Sequence, residues 1–135
     1  MTRYLLDTNT VSHLIKSHPL VSHRVKQVPM AALCISAITE GELLFGLAKR
    51  PEAVRLHVAV REFLRRVDVL PWNSADRYGV ARADLENRGK SLAPLDLLIA
   101  AHALSVGAVL VTNDHAFAYV PGLEIEDWTV QIVAQ

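Results

Sequence analysis

The chain has 135 residues, of which 51% are hydrophobic and 21% charged. That suits one domain with a real core and lies far from the composition of a disordered chain. Its 14 basic and 14 acidic residues cancel, which argues against nucleic-acid binding by bulk attraction, and no apolar stretch approaches the roughly 18 to 20 residues that span a bilayer.

The N-terminal MTRYLLDTN enters a strand at once and lacks the apolar core of a signal peptide. Tyr4 to Leu6 is the predicted first strand, followed by a helix from about Thr10 to Ser17. Pro19 interrupts, and a second helical stretch through Val28 ends before Pro29. Leu33 to Ser36 is a short buried strand. It contains the single Cys34, which has no partner for an internal disulfide. A cytoplasmic protein is expected.

Thr39-Glu40-Gly41-Glu42 has the form of a capping box opening the helix ELLFGLAKR. Pro51 stops that helix and can start the next, whose broad apolar face includes Val54, Val58, Phe63 and Leu64. Val67 to Leu70 is a third strand. Ser74 is the expected cap of a helix that Gly89 ends. Pro94 opens LDLLIAAHALSV, apolar nearly all round, and Gly107 ends it. Ala108 to Thr112 is a fourth strand and Leu123 to Glu126 a short fifth. Strands alternating with helices of about 10 to 15 residues predict an α/β fold with a parallel sheet and right-handed crossovers. No linker or repeat divides the chain, so one domain over 1–135 is expected.

Four acids stand out within this frame. Asp7, Glu42, Asp96 and Asp114 each lie just past a strand-like run or in the first turn of a helix-like one. Taken singly, each has a local explanation: a cap, a capping box, or a helix dipole worth about 0.3 to 1 kcal/mol. Taken together, they come from four segments whose ends meet in the crevice at the carboxyl edge of a parallel sheet. Carboxylates gathered there repel one another unless a hard divalent cation holds them. A Mg²⁺ or Mn²⁺ site serving phosphodiester hydrolysis is the chemistry expected.

The segments LLDTNTVSHLI (5–15), ISAITEGELLFG (35–46), PLDLLIAAHALSVGAVLVTND (94–114) and VPGLEIEDW (120–128) resemble the PIN-domain ribonucleases, and among them the VapC toxins of bacterial toxin–antitoxin pairs. The resemblance implies a three-layer sandwich around a short, mostly parallel sheet of about five strands. It makes Asp7, Glu42, Asp96 and Asp114 the ligands of one or two Mg²⁺ or Mn²⁺ ions. Thr8 and Asn9 become the polar pair beside the first Asp, with Asn9 orienting it, and Thr112 and Asn113 the polar turn supporting the fourth acid. Glu40 and Glu42 point about 200° apart on a helix, so only one faces the cleft. The family register and the capping box both select Glu42.

An endoribonuclease that leaves a 5′-phosphate and a 3′-hydroxyl follows, with structured RNA such as tRNA as substrate. A VapB-like antitoxin would neutralise it and carry operator DNA indirectly, and a homodimer is expected. Positive charge for RNA would come from Lys49, Arg50, Arg61, Arg65, Arg66, Arg82 and Arg88. His102 is expected to be a hydrogen-bonded core residue and His115 a surface one. A phosphatase of the haloacid-dehalogenase type would need an Asp where this chain has Asn9, and a later Lys that residues 91–135 lack. The alternative that remains is a catalytically weak PIN-like module acting mainly through its antitoxin and operator DNA.

Overall fold

Successive residues of a strand face opposite sides of the sheet, so the adjacent Leu5 and Leu6, both fully buried, belong to different cores. They lie in β1 (Tyr4–Leu6), at the centre of the computed structural model, which describes residues 1–131. The other strands are β2 (Leu33–Ser36), β3 (Asp68–Leu70), β4 (Val109–Val111) and β5 (Ile125–Glu126). They form one sheet in the order β3-β2-β1-β4-β5, with every pairing parallel.

The same alternation sorts the helices into layers. Leu6, Leu33, Ile35 and Val111 pack with apolar residues of α1 (Thr8–Ile15), α2 (Pro19–Gln27), α3 (Ala37–Ala48) and α4 (Val54–Arg66). Leu5, Cys34 and Leu110 pack with α5 (Ala75–Asn87) and α6 (Pro94–Val106). The result is a three-layer sandwich with four helices on one face and two on the other. Within α6 the run Ile99 to Ala103 is wholly buried, as its nearly uniform apolarity requires.

Several boundaries differ from expectation, each for a local reason. Helix α1 starts at Thr8, two residues early, because the Asp7 carboxylate accepts the Thr10 N–H at 2.8 Å and caps it. Helix α3 starts at Ala37, directly after β2, with the Ser36 hydroxyl accepting the Ile38 N–H at 3.1 Å. The expected capping box over Thr39–Glu42 is therefore not formed, and Glu42 sits in the second turn. Pro51 stands in the turn between α3 and α4 and opens neither. Ser74 precedes α5 as expected, yet its buried hydroxyl makes no cap bond. Short 3₁₀ turns at Met30–Ala32 and His115–Tyr119 had no sequence signal.

Gly107 ends α6 in the left-handed region at φ 66°, and the following Ala108 N–H returns to the Ala103 carbonyl at 3.0 Å. A Cβ there would meet nothing within 4 Å. Gly107→Ala is expected to cost about 1 to 2 kcal/mol from backbone conformation alone, read as a lower denaturant midpoint at unchanged slope.

Candidate functional site

The chain order reverses across β1 and β4: β2 and β3 follow β1 on one side, and β4 and β5 lie on the other. In open α/β sheets that switch point leaves a crevice at the carboxyl ends of the strands. Asp7 is the first residue beyond β1, and its backbone N–H continues the ladder to the Val111 carbonyl at 3.0 Å. Asp114 lies three residues beyond β4, where its N–H donates to the Thr112 hydroxyl at 3.0 Å. The Asp114 carboxylate accepts the Ala116 N–H at 3.0 Å and caps the 3₁₀ turn.

Asp96 enters from α6, in the first turn behind Pro94. Glu42 enters from α3, where the Thr8 hydroxyl donates to its Oε1 at 2.5 Å and stands 3.3 Å from the Thr39 hydroxyl. This contact turns Glu42, and not Glu40, toward the start of α1 beside Asp7.

The four carboxylates act on one another electrostatically. Burial pushes the Asp96 carboxyl up to about 6, and repulsion from Asp114, Asp7 and Glu42 adds to it. Asp7, only 4% exposed, is also raised, chiefly by burial and further by Asp114. The Thr112 hydroxyl and the Thr10 N–H oppose that rise. Among the described residues, none of the four acids is paired with a Lys, Arg or His. The crevice therefore gathers negative charge that no described Lys, Arg or His bridges.

The supporting residues divide. Thr8, expected beside the first Asp, bonds Glu42 instead, and Thr112 touches both Asp7 and Asp114. Asn9 does not act as expected: it is exposed, makes no side-chain hydrogen bond among the described residues, and leaves the orienting of Asp7 to the Thr10 backbone. The reason is helix geometry, since the capping bond reaches the third residue past the cap. Asn113 reaches His13, amide nitrogen to ring nitrogen, at 3.5 Å.

Three buried groups complete this region: His102 is the hydrogen-bonded core residue expected, while Thr10 and Ser36 take roles beyond those expected. The Thr10 hydroxyl donates to the Val111 carbonyl at 2.9 Å and ties α1 to β4. Ser36 and His102 meet at 2.7 Å between the hydroxyl and Nδ1, joining α6 to the start of α3. His102 is fully buried, which pushes its imidazole below the usual histidine range, and its Nε2 has no partner among the described residues. Only Ser36, itself the predicted end of β2, hints at this link. His115 is exposed, as expected.

The cations proposed for RNA split between the two helix layers. Arg50 borders a cavity of about 230 Å³ that also touches Thr8 and Glu42. Lys49 lies over the Phe45 ring, and Arg61 is exposed on α4. Arg65 and Arg66 both pair with Glu62. On the opposite layer Arg82 pairs with Glu86, and Arg88 with Asp84.

The sequence matches the PIN domain over residues 4–123. It is 37% identical over 131 residues to the tRNA(fMet)-specific endonuclease VapC of Salmonella typhimurium, covering 95% of this chain and 99% of the relative. It is 36% identical over 132 residues to the ribonuclease VapC2 of Haemophilus influenzae, again covering 95% and 99%. The fold superposes on the DNA-bound VapBC of Salmonella typhimurium with a TM-score of 0.87 at 38% identity, over 95% of this chain and 99% of that one. VapBC2 of Rickettsia felis, bound to a DNA fragment from its promoter, gives a TM-score of 0.85 at 30% identity, over 94% and 99%. Sharing its fold and about a third of its sequence with such proteins along nearly its whole length, the chain belongs to the PIN-domain family, among the VapC ribonucleases of toxin–antitoxin pairs.

Proposed function

We propose that the chain is a Mg²⁺- or Mn²⁺-dependent endoribonuclease toxin acting in the cytoplasm, with residues 1–135 forming one PIN domain. The observation that carries the metal is the set of four carboxylates at the switch point, unbridged by any Lys, Arg or His among the described residues, with Asp96 raised to about 6 by burial and by the other three. The donors are all carboxylate oxygens, which suit a hard divalent ion. Among the described residues no three such side chains stand close enough to hold one ion where they are, so binding would draw the carboxylates inward. When bound, the ion supplies positive charge at the scissile phosphate and lowers the pKa of an attacking water.

The chain's own groups prepare that site. Thr10 and Thr112 oppose the rise that burial imposes on the Asp7 carboxyl, and Thr8 holds Glu42 in place. Asp96 and Asp114 close the crevice from α6 and the β4 turn. Hydrolysis by water leaves a 5′-phosphate and a 3′-hydroxyl. The tRNA(fMet) specificity carried in a relative's name makes tRNA the substrate class to test.

A VapB-like antitoxin is the proposed inhibitor, bringing operator DNA to the complex, with the toxin as a homodimer. The cavity at Glu42 supports this docking, because Leu43, Leu47, Leu56 and Val60 line it between α3 and α4. An apolar segment laid there ends beside the acids. Phe45, Val54 and Val58, each more than 60% exposed, extend the apolar surface outward.

Sequencing of RNA ends after brief induction in cells tests the function. New 5′-phosphate ends at one site in a structured RNA are expected, lost in Glu42→Gln and kept in Glu40→Gln. In purified protein EDTA should abolish cleavage and Mg²⁺ or Mn²⁺ restore it. Cleavage that survives both EDTA and Glu42→Gln would reject the site.

A further inference from the structure

Beyond Lys90 the chain carries no Lys or Arg, yet Asp96 and Asp114 both lie in that stretch. The Lys or Arg nearest to Asp96 in sequence is Lys90, in the segment just before α6. Gly89, at φ 68°, ends α5, and the Lys90 N–H returns to the Leu85 carbonyl at 2.8 Å. This turn throws Lys90 across to the 3₁₀ turn that Asp114 caps, where its ammonium stands 4.5 Å from the centre of the Tyr119 ring.

The pair is open. Tyr119 is 45% exposed, and Lys90 makes no ion pair among the described residues. Arg88 pins the same corner, bridging Asp84 at 2.6 Å and donating to the Tyr119 carbonyl. A cavity of about 170 Å³ opens beside Lys90, between Tyr78 and Arg82 of α5 and Leu92 and Pro94 leading into α6. The 3₁₀ turn spans five residues at about 2 Å each, which sets Tyr119 roughly 10 Å from Asp114. Neighbouring nucleotides of one strand bridge such a gap.

An unpaired ammonium on an exposed ring is the combination that single-stranded nucleic acid engages, with base on ring and phosphate on cation. We propose that Lys90 and Tyr119 form a subsite for one nucleotide of single-stranded RNA flanking the scissile bond, its base stacked on Tyr119 and its phosphate on Lys90. This rests on the ribonuclease activity above and adds where the substrate is held. The salt bridges of Arg82 and Arg88 are exposed and weak, so they do not block a phosphate.

The test uses the full-length Asp96→Asn chain as a non-cleaving parent and a fluorescein-labelled single-stranded RNA that the wild-type chain cuts. Tyr119→Leu should weaken binding about tenfold or more. Lys90→Ala should weaken it and reduce the slope of affinity against salt by about one, and Lys90→Glu should weaken it further. In the wild-type background the same changes should raise KM and leave kcat nearly constant. Both side chains are exposed, so unchanged melting temperatures confirm folding. Variants that bind the RNA as tightly as the parent, while the wild type cleaves it, overturn the subsite but not the enzyme. Unchanged RNA affinity with lost antitoxin binding assigns the surface to a protein and overturns it too. If the wild-type chain cuts no RNA, the ribonuclease assignment itself falls.

Discussion

Replacing Asp96 by Asn is expected to abolish RNA cleavage and, in the absence of divalent ions, to make the protein more stable above pH 6. The activity loss follows from removing one charged oxygen donor from the four-acid crevice. Several kcal/mol of transition-state stabilisation depend on such a site, and at about 1.4 kcal/mol per decade the rate falls about a thousandfold.

The stability gain has the opposite origin. Asp96 ionises near 3.8 in the unfolded chain but near 6 in the fold, because burial and three other carboxylates disfavour its charge. A raised carboxyl stabilises the fold fully below the unfolded value, and that contribution is lost as pH rises through the folded one. Between about pH 4 and pH 6 the metal-free wild type therefore loses stability that Asp96→Asn does not. Allowing for solvent screening at this half-buried group, the gap is about 1 to 2 kcal/mol at pH 7. Thermal melts in EDTA at pH 4 and pH 7 measure it, and no gain at pH 7 would rule out crowding of the acids. Adding Mg²⁺ should reverse the order, since only the wild type gains full stability from ligand binding.

Trp128→Ala carries the other large expected effect, this time on stability alone. Trp128 is 1% exposed in the core of the four-helix face and tilts against the Tyr4 ring at 5.3 Å. Its Nε1 donates to the Glu126 carboxylate at 2.9 Å, and Arg24 lies over its ring while bridging the same Glu126. One side chain thus ties α2, β1 and the chain beyond β5. Truncation removes the buried indole and leaves a cavity, at about 3 to 5 kcal/mol. For a domain of this size that lowers the melting temperature by more than about 10 °C. Trp128→Phe should recover much of the packing but not the Glu126 bond. A melting temperature unchanged in Trp128→Ala would refute this account of the C-terminal segment.

Local chemistry makes much of the fold legible in the sequence. Each strand lies within one or two residues of its expected bounds, because short apolar runs bounded by polar residues and breakers admit little else. Pro94 and Gly107 bracket α6 as expected: fixed φ and the left-handed region are properties of those residues wherever they stand. The four acids were legible for a similar reason, each lying at a strand end or early in a helix.

The errors arose where two local signals competed. Both Ser36 and Thr39 can cap a helix, and the chain uses Ser36 because β2 stays paired with β3 as far as that residue. His102, 66 residues away, then meets the same hydroxyl, a contact no nearby sequence could announce. Asn9 looked like the partner of Asp7, but a cap bonds the backbone three residues on, so Thr10 serves.

By itself, then, the sequence determined the elements, the alternation that gives a parallel sheet, and the places of four acids at strand ends and in helix starts. Only the tertiary structure decided the order β3-β2-β1-β4-β5, and with it the switch point that makes four acids share one field. It alone set Lys90 on Tyr119, 29 positions further along. Helix and strand signals act over a few residues, whereas burial and charge repulsion depend on which distant segments the sheet brings side by side.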